Sequence, residues 1–538
     1  MSGPLAHRRH GTRFGPMRTW WARTRAVGRA HPVTCLLAVQ VWVVYAAYQL
    51  WIVVRGPIGY WNDSVAYVAV SHGPLLSAQL LAGARPPLVP LLWKATGTNL
   101  SFSVVQTLVA IGAWTYLAAT AALLVRPGWH RLVAGTAVLV FASCWEVTEW
   151  NWNILSDSLA VSATAVICAA AISLVGRYTL TRALVLVAAC LVFVLDRDQA
   201  IWAIVPVGVV LAGWGAVRLV RHRGDRSGPG RVLLVLGLSL CAVAAVAELG
   251  AATSHRNVVN MVDVFDVRVF PFPDRVHWFA VHGMPQGHEI DAAAAAAAAT
   301  ARAPGAAKVV GLPLDAAAFR PLHHWFATSA QERYVEFLVT HPAYFWTAPF
   351  GRPELTFNNA GGNLAGYGSL VDPNPHYPAN HALPLLPRIF FPSQGVVSVL
   401  AVCGAVVFVL RRGRARYLGV LGALVATGLW SMLVAWHGDG MEVARHTLEG
   451  MVQVRVAVLI LVLLAALGPL DVLPRQEGPA PDPDPTVRPV TTDLIRRTPA
   501  APTVVPAVQG PFRGRRWPWV ASTRVERPRR PGPDKEQS

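Results

Sequence analysis

The sequence predicts an all-α polytopic membrane protein of about ten transmembrane helices with one large external loop region. Three observations lead there. Of 538 residues, 54% are hydrophobic and only 14% charged, against about 25% charged in ordinary soluble domains. Apolar runs long enough to cross a bilayer recur along the chain. Arginines gather in alternate connections between those runs, the pattern that fixes orientation in a membrane. In a soluble protein the formal net charge of +18 would suggest nucleic acid. Here the charge sits in tails and short loops, so the expected partner is the lipid bilayer, and no nucleic acid.

The elements follow in order. Residues 1–30 hold Arg8, Arg9, Arg13, Arg18, Arg23, Arg25 and Arg29 and no acid, which reads as a basic cytoplasmic tail. A signal peptide fits less well, because the apolar run 33–54 is long enough to span, whereas a signal core is about 7–15 residues. The first external loop, 55–99, mixes polar and apolar residues as short surface-lying helices do. Further spans are expected at 101–125, 131–147, 153–175, 182–195, 200–217, 232–251, 394–410, 417–436 and 455–473. Ten spans place both termini on one side. Arg126 and Arg131, Arg177 and Arg182, the run Arg218 to Arg231, and Arg411 to Arg416 all fall on the side of the N-terminus, so both termini are expected to be cytoplasmic in a multi-pass protein of the cell membrane.

The domains are thus a tail (1–30), an N-terminal transmembrane core (31–251), an external region (252–392), C-terminal transmembrane helices (393–474) and a second tail (475–538). The external region is punctuated by Pro271, Pro273, Pro285, Pro304, Pro313 and Pro321. Its Ala292–Ala299 run reads as helical or mobile. Gln331 to His341 reads as a helix with Tyr334, Phe337 and Leu338 on one face. Asn358, Asn359, Gly361, Gly362, Asn363 and Gly366 have a loop composition. The region is expected to cap the membrane core rather than to form an independent enzyme domain. The Pro- and Arg-rich tail cannot bury enough apolar surface to fold, although Arg513, Arg515, Arg516, Arg529 and Arg530 are placed to meet anionic headgroups. Cys35, Cys144, Cys168, Cys190, Cys241 and Cys403 lie singly in apolar runs, as buried small hydrophobes do, with no disulfide or metal framework expected.

Four short stretches carry chemistry. The first, Gly59-Tyr60-Trp61-Asn62-Asp63-Ser64-Val65-Ala66-Tyr67, follows the first span. The second is Arg85-Pro86-Pro87-Leu88-Val89-Pro90-Leu91-Leu92. The third, Leu155-Ser156-Asp157-Ser158-Leu159, opens the fourth span. The fourth is His437-Gly438-Asp439-Gly440-Met441-Glu442-Val443-Ala444-Arg445-His446, before the last. Over roughly residues 30–470 the chain resembles the GT-C glycosyltransferases, which take sugars from polyprenyl-phosphate donors and include protein mannosyltransferases and lipid A aminoarabinose transferases. The resemblance implies transfer of a sugar from a polyprenyl-phosphate donor to an envelope glycan, lipid or protein acceptor at the outer membrane face. Such a reaction needs a base for the acceptor's proton and cations for the departing phosphate.

By that resemblance Asp63 is the catalytic base, with a helix cap as the alternative. Tyr67, at i+4 on the same face, lines the acceptor or packs on the membrane surface. Asp157 is a second catalytic carboxylate that holds the acceptor or, with Asp63, a metal; its alternative is an N-cap. Glu146 and Glu149, on one helical face, are alternative second carboxylates, Glu149 lining the acceptor. The donor phosphate falls to Arg85, Arg197, Arg445 and His446. For Arg197 the alternative is a local pair with Asp196 and Asp198, and for Arg445 an intrahelical pair with Glu442. No cofactor is required, and nothing in the spacing calls for a divalent metal. His323-His324 and the His376 to His381 region match no zinc pattern. The chain has no phosphate-binding loop of the Walker type, which argues against a nucleotide-driven pump. A multi-pass transporter is the competing class. It is disfavoured because the expected spans have almost no charge at their centres, where transporters bind. A non-catalytic envelope-assembly scaffold is the third class.

Overall fold

The computed structural model describes residues 31–468 except 57, 76, 78, 79, 81, 82, 84, 222–227, 255, 303–315, 352–384, 412–414, 441 and 442. The described residues are helical throughout, without a strand, and their single isolated bridge joins Gly59 to Asn153. Seven helices are long and apolar enough to cross a membrane: Pro32–Arg55, Asn99–Leu124, Asp157–Gly176, Ala200–Arg221, Pro229–Thr253, Ala415–Gly438 and Leu448–Leu467. Trp129–Ala142 and Trp145–Trp152 make an eighth if taken as one span bent by 65°. The chain is therefore an all-α polytopic membrane protein with seven or eight candidate spans.

Each of the ten expected runs lies on a helix, but three differ from a straight span. The third breaks at Ser143 and Cys144, then continues as a short helix, Trp145–Thr148, and a 3-10 turn, Glu149–Trp152. Leu180–Asp196 and Gln394–Leu410 have 17 residues each. That is about 26 Å of helix against about 30 Å of hydrocarbon. The last span also moves. It runs Leu448–Leu467 rather than 455–473, so Arg455 lies inside it, buried, donating to the Pro392 carbonyl at 3.1 Å with its guanidinium 5.4 Å from the Phe391 ring. The expectation of spans nearly free of central charge is corrected at this residue.

Small residues set the closest helix contacts. Ala200–Arg221 and Pro229–Thr253 form a hairpin in which Gly208 and Gly215 face Gly237 and Gly230, and a methyl on any of them would meet the opposite helix's backbone. Gly428 and Gly450 do the same between Ala415–Gly438 and Leu448–Leu467. Helices in lipid gain little from the hydrophobic effect, so close van der Waals approach does the work. Trp114, Phe141, Phe102 and Leu117 fill the largest apolar cluster of the bundle. Cys144, Cys168 and Cys190 are buried as expected, Cys35 and Cys241 are half-buried, and Cys403 is exposed, on a helix whose outward face is apolar.

Between the seventh and eighth runs, Arg256–Arg268, Pro273–Val281, Arg320–Thr328 and Ala330–Thr340 enclose an aromatic core of their own. Phe265 sits at its centre, 4.7 Å from the Phe279 ring and 5.1 Å from the Phe326 ring, with Tyr334 and Phe337 alongside. The poly-alanine run is helical, within His288–Arg302. The Asn358–Gly366 loop and the 475–538 tail lie outside the described residues.

Candidate functional site

The site begins with a buried polar staple. Gly59 N–H donates to the Trp152 carbonyl at 3.1 Å and Ile154 N–H to the Gly59 carbonyl at 3.0 Å. Gly59 is required there, because a Cβ would overlap the Asn153 side chain. Gln106 Nε2 donates to the carbonyls of Trp150, Asn151 and Asn153 at 3.2, 2.7 and 2.8 Å. Asn151 is itself held between Gln49 and Ser158. These bonds explain the break in the third run: its backbone leaves the helix, and side chains satisfy the freed carbonyls. The result locks the loop after the first helix against the start of Asp157–Gly176.

That lock aims Asn62–Ser71. Its N-cap is Trp61, whose N–H donates to Ser64 Oγ at 2.9 Å, while Ser64 Oγ donates to the Ile154 carbonyl at 2.7 Å. Capping thus falls to Ser64, and Asp63 is left to face inward. Arg85 Nη2 meets Asp63 Oδ1 at 2.5 Å, and Arg445 Nη1 meets Oδ2 at 2.9 Å. Arg445 Nε also donates to both oxygens of Asp157 at 3.1 and 3.0 Å. Arg197 pairs with Asp157 and, at 2.5 Å, with Glu449, and its Nε donates to Ser156 Oγ at 3.1 Å. Arg197 therefore reaches across the bundle rather than pairing with its sequence neighbours. Asp198 pairs with Arg256 at 3.2 Å, and Asp439 pairs with His446. Gly440 packs so closely on the Asp263 backbone that a side chain would not fit, which fixes the loop carrying Asp439.

The electrostatics follow from the geometry. Burial pushes the Asp63 carboxyl up, but the Arg445 and Arg85 guanidiniums outweigh it and hold the group at about 2. Burial and the Asp63 charge push the Tyr67 phenol to about 12. Arg197 loses stability as a cation through burial and more than regains it from Asp157 and Glu449, so its guanidinium stays charged. Burial lowers the His446 imidazole, but Asp439 raises it further, favouring the cationic ring.

A cavity of about 890 Å³ opens onto this cluster. Asp63, Tyr67, Arg85, Arg197, Arg445 and His446 all line it, and the Arg85 guanidinium lies 5.5 Å from the Tyr67 ring. Two expected site residues stand differently. Asp157 has no exposed surface and lies behind the cavity as the shared acceptor of two guanidiniums. Glu149 is buried in the 3-10 turn, its carbonyl held by Asn153 Nδ2 at 2.6 Å, and is not among the cavity-lining residues. Glu442 lies outside the described residues, so its pairing with Arg445 is not seen. Among the described residues no three His, Cys, Asp or Glu side chains group as a metal site would require.

Sequence reasoning passed over Glu449 and Asp439. Glu449 carried a signal, being an acid inside an apolar run, a costly position that usually has a partner. Asp439 lay in plain view between two glycines. The partners they make link segments hundreds of residues apart and have no sequence signature. No family model matches the chain, and neither the curated proteins nor the solved structures give a match.

Proposed function

We propose that the chain is a membrane glycosyltransferase that moves a sugar from a polyprenyl-phosphate donor to an envelope acceptor at the outer face. The observation that carries the proposal is the convergence of Arg85, Arg445 and His446 with Asp63 at one cavity. The acceptor oxygen attacks the anomeric carbon as the bond to the donor phosphate oxygen breaks. The acceptor's proton passes to Asp63, and polyprenyl phosphate leaves with the negative charge. Arg85, Arg445 and His446 are the cations that charge needs.

The same geometry supplies an order of events. With both oxygens held by guanidiniums and its carboxyl at about 2, Asp63 is a weak base, since base strength follows pKa. A donor phosphate competes for those guanidiniums. Once they turn to it, the carboxylate regains basicity where the acceptor must bind. Asp157 and Glu449 keep Arg445 and Arg197 charged and aimed throughout. No metal takes part in this scheme. The reading includes ten spans, both termini cytoplasmic and the cavity on the opposite face.

The test uses membranes enriched in the protein and a panel of radiolabelled polyprenyl-phosphate pentoses and hexoses. The proposal expects at least one donor to be consumed and free polyprenyl phosphate to appear, dependent on Arg85. If no donor is consumed, the transporter and scaffold readings take its place.

A further inference from the structure

The phosphate-facing residues are one part of the cavity lining, and the remainder has a different chemistry. The turn after Leu180–Asp196 contributes Asp196, Asp198 and Gln199, and the end of Pro229–Thr253 contributes Glu248. From Ala330–Thr340 comes Gln331, whose Nε2 donates to Glu248 Oε1 at 3.1 Å. Trp202 and Trp430 add aromatic surface, fixed to each other by a bond from Trp430 Nε1 to the Trp202 carbonyl at 2.9 Å. Asp196 is fully buried, and neither carboxylate oxygen has a hydrogen-bond partner among the described residues. A buried carboxylate without a donor is costly. The cavity wall closes over its oxygens, and a ligand's O–H groups meet the half-buried Asp198, Gln199, Glu248 and Gln331 in front of it.

From these residues we infer a carbohydrate-acceptor subsite, so that the acceptor of the proposed transfer is a glycan rather than a protein or a lipid. This rests on the glycosyltransferase reading. Sugars show hydroxyl donors around their edge and C–H groups on their faces. Carboxylates and carboxamides suit the first, and Trp202 and Trp430 suit the second. A peptide acceptor bound as an added strand would find no strand edge among the described residues. Apolar residues such as Leu155, Met261, Val335 and Val434 also line the cavity, but a lipid acceptor would leave the carboxylates and carboxamides beside them unmet.

The test is binding to the full-length protein in lipid nanodiscs, so that transfer is not needed. The probes are immobilised hexose and pentose oligosaccharides, serine- and threonine-containing peptides of matched length, and separately a polyprenyl phosphate. The inference expects oligosaccharide retention and none of the peptides. Glu248→Gln and Trp430→Ala should each weaken retention about tenfold, in line with losing one charged hydrogen bond or one stacking face, and leave polyprenyl phosphate binding unchanged. Thermal melting of both variants checks that they are folded. Retention of peptides in place of oligosaccharides overturns the inference, as does no oligosaccharide retention, or equal retention by wild type and both folded variants. Oligosaccharide retention without any polyprenyl phosphate binding refutes the donor assignment instead, so the two failures are distinct.

Discussion

Asp157→Asn separates architecture from chemistry. Asp157 is fully buried and accepts from Arg197 Nη2 and from Arg445 Nε at 3.1 and 3.0 Å. Replacing it by Asn removes the charge both cations share and turns an N–H toward at least one of them. Breaking a buried ion pair from one side costs about 3–5 kcal/mol. Glu449 still holds Arg197 and Asp63 still holds Arg445, so the lower end applies, about 3 kcal/mol, or on the order of 10²-fold in the folding equilibrium. Asp63→Asn is the contrast. Its side chain is 24% exposed and that of Arg85 34%, so water solvates Arg85, while the buried Arg445 keeps Asp157, and the cost should be about 1 kcal/mol. The assay is membrane accumulation together with thermal melting of the purified protein in detergent. Asp157→Asn should accumulate poorly and melt well below wild type, and Asp63→Asn should stay close to it. Equal melting of Asp157→Asn and wild type would refute the role given to Asp157.

Other outcomes are open to measurement. Asp266 is buried without partners for either oxygen among the described residues, and burial pushes its carboxyl to about 7. A carboxyl raised above its unfolded value of about 3.9 destabilises the fold as pH climbs toward 7, so Asp266→Asn should raise the melting temperature at pH 8 and leave it nearly unchanged at pH 4. Arg85→Ala should reduce donor use by roughly ten- to a hundredfold, matching a lost charge-assisted bond of about 1.5–3 kcal/mol, while accumulation stays normal; unchanged donor kinetics would remove Arg85 from the site. A reporter fused after Arg223 should be cytoplasmic and one inserted near Gly305 external. Finding both on one side would end the ten-span topology.

Much of the helix layout was legible in the sequence, because apolar length and loop arginines act locally. The third run was misread where it mattered. Gln106 and Gln49 satisfy its broken backbone from two other helices, and periodicity carries no trace of such a staple. The last span begins at Leu448 rather than at 455, because buried partners let Glu449 and Arg455 sit inside it. At the site, short motifs picked out Asp63, Arg85, Arg197, Arg445 and His446, and the fold brings all five to one cavity. Their pairing was not legible. Arg197 passes over the acids beside it for Asp157 and Glu449, a choice set by helix packing alone.

The most direct test of the central claim is sugar transfer by Asp63→Asn, measured beside wild type with a labelled polyprenyl-phosphate sugar and envelope acceptors, at equal amounts of folded protein. The substitution removes the proton acceptor and keeps the side chain's shape. The account predicts that transfer falls on the order of 10²–10⁴-fold, the usual contribution of a positioned base, while polyprenyl phosphate still binds. Transfer at the wild-type rate by Asp63→Asn would contradict it.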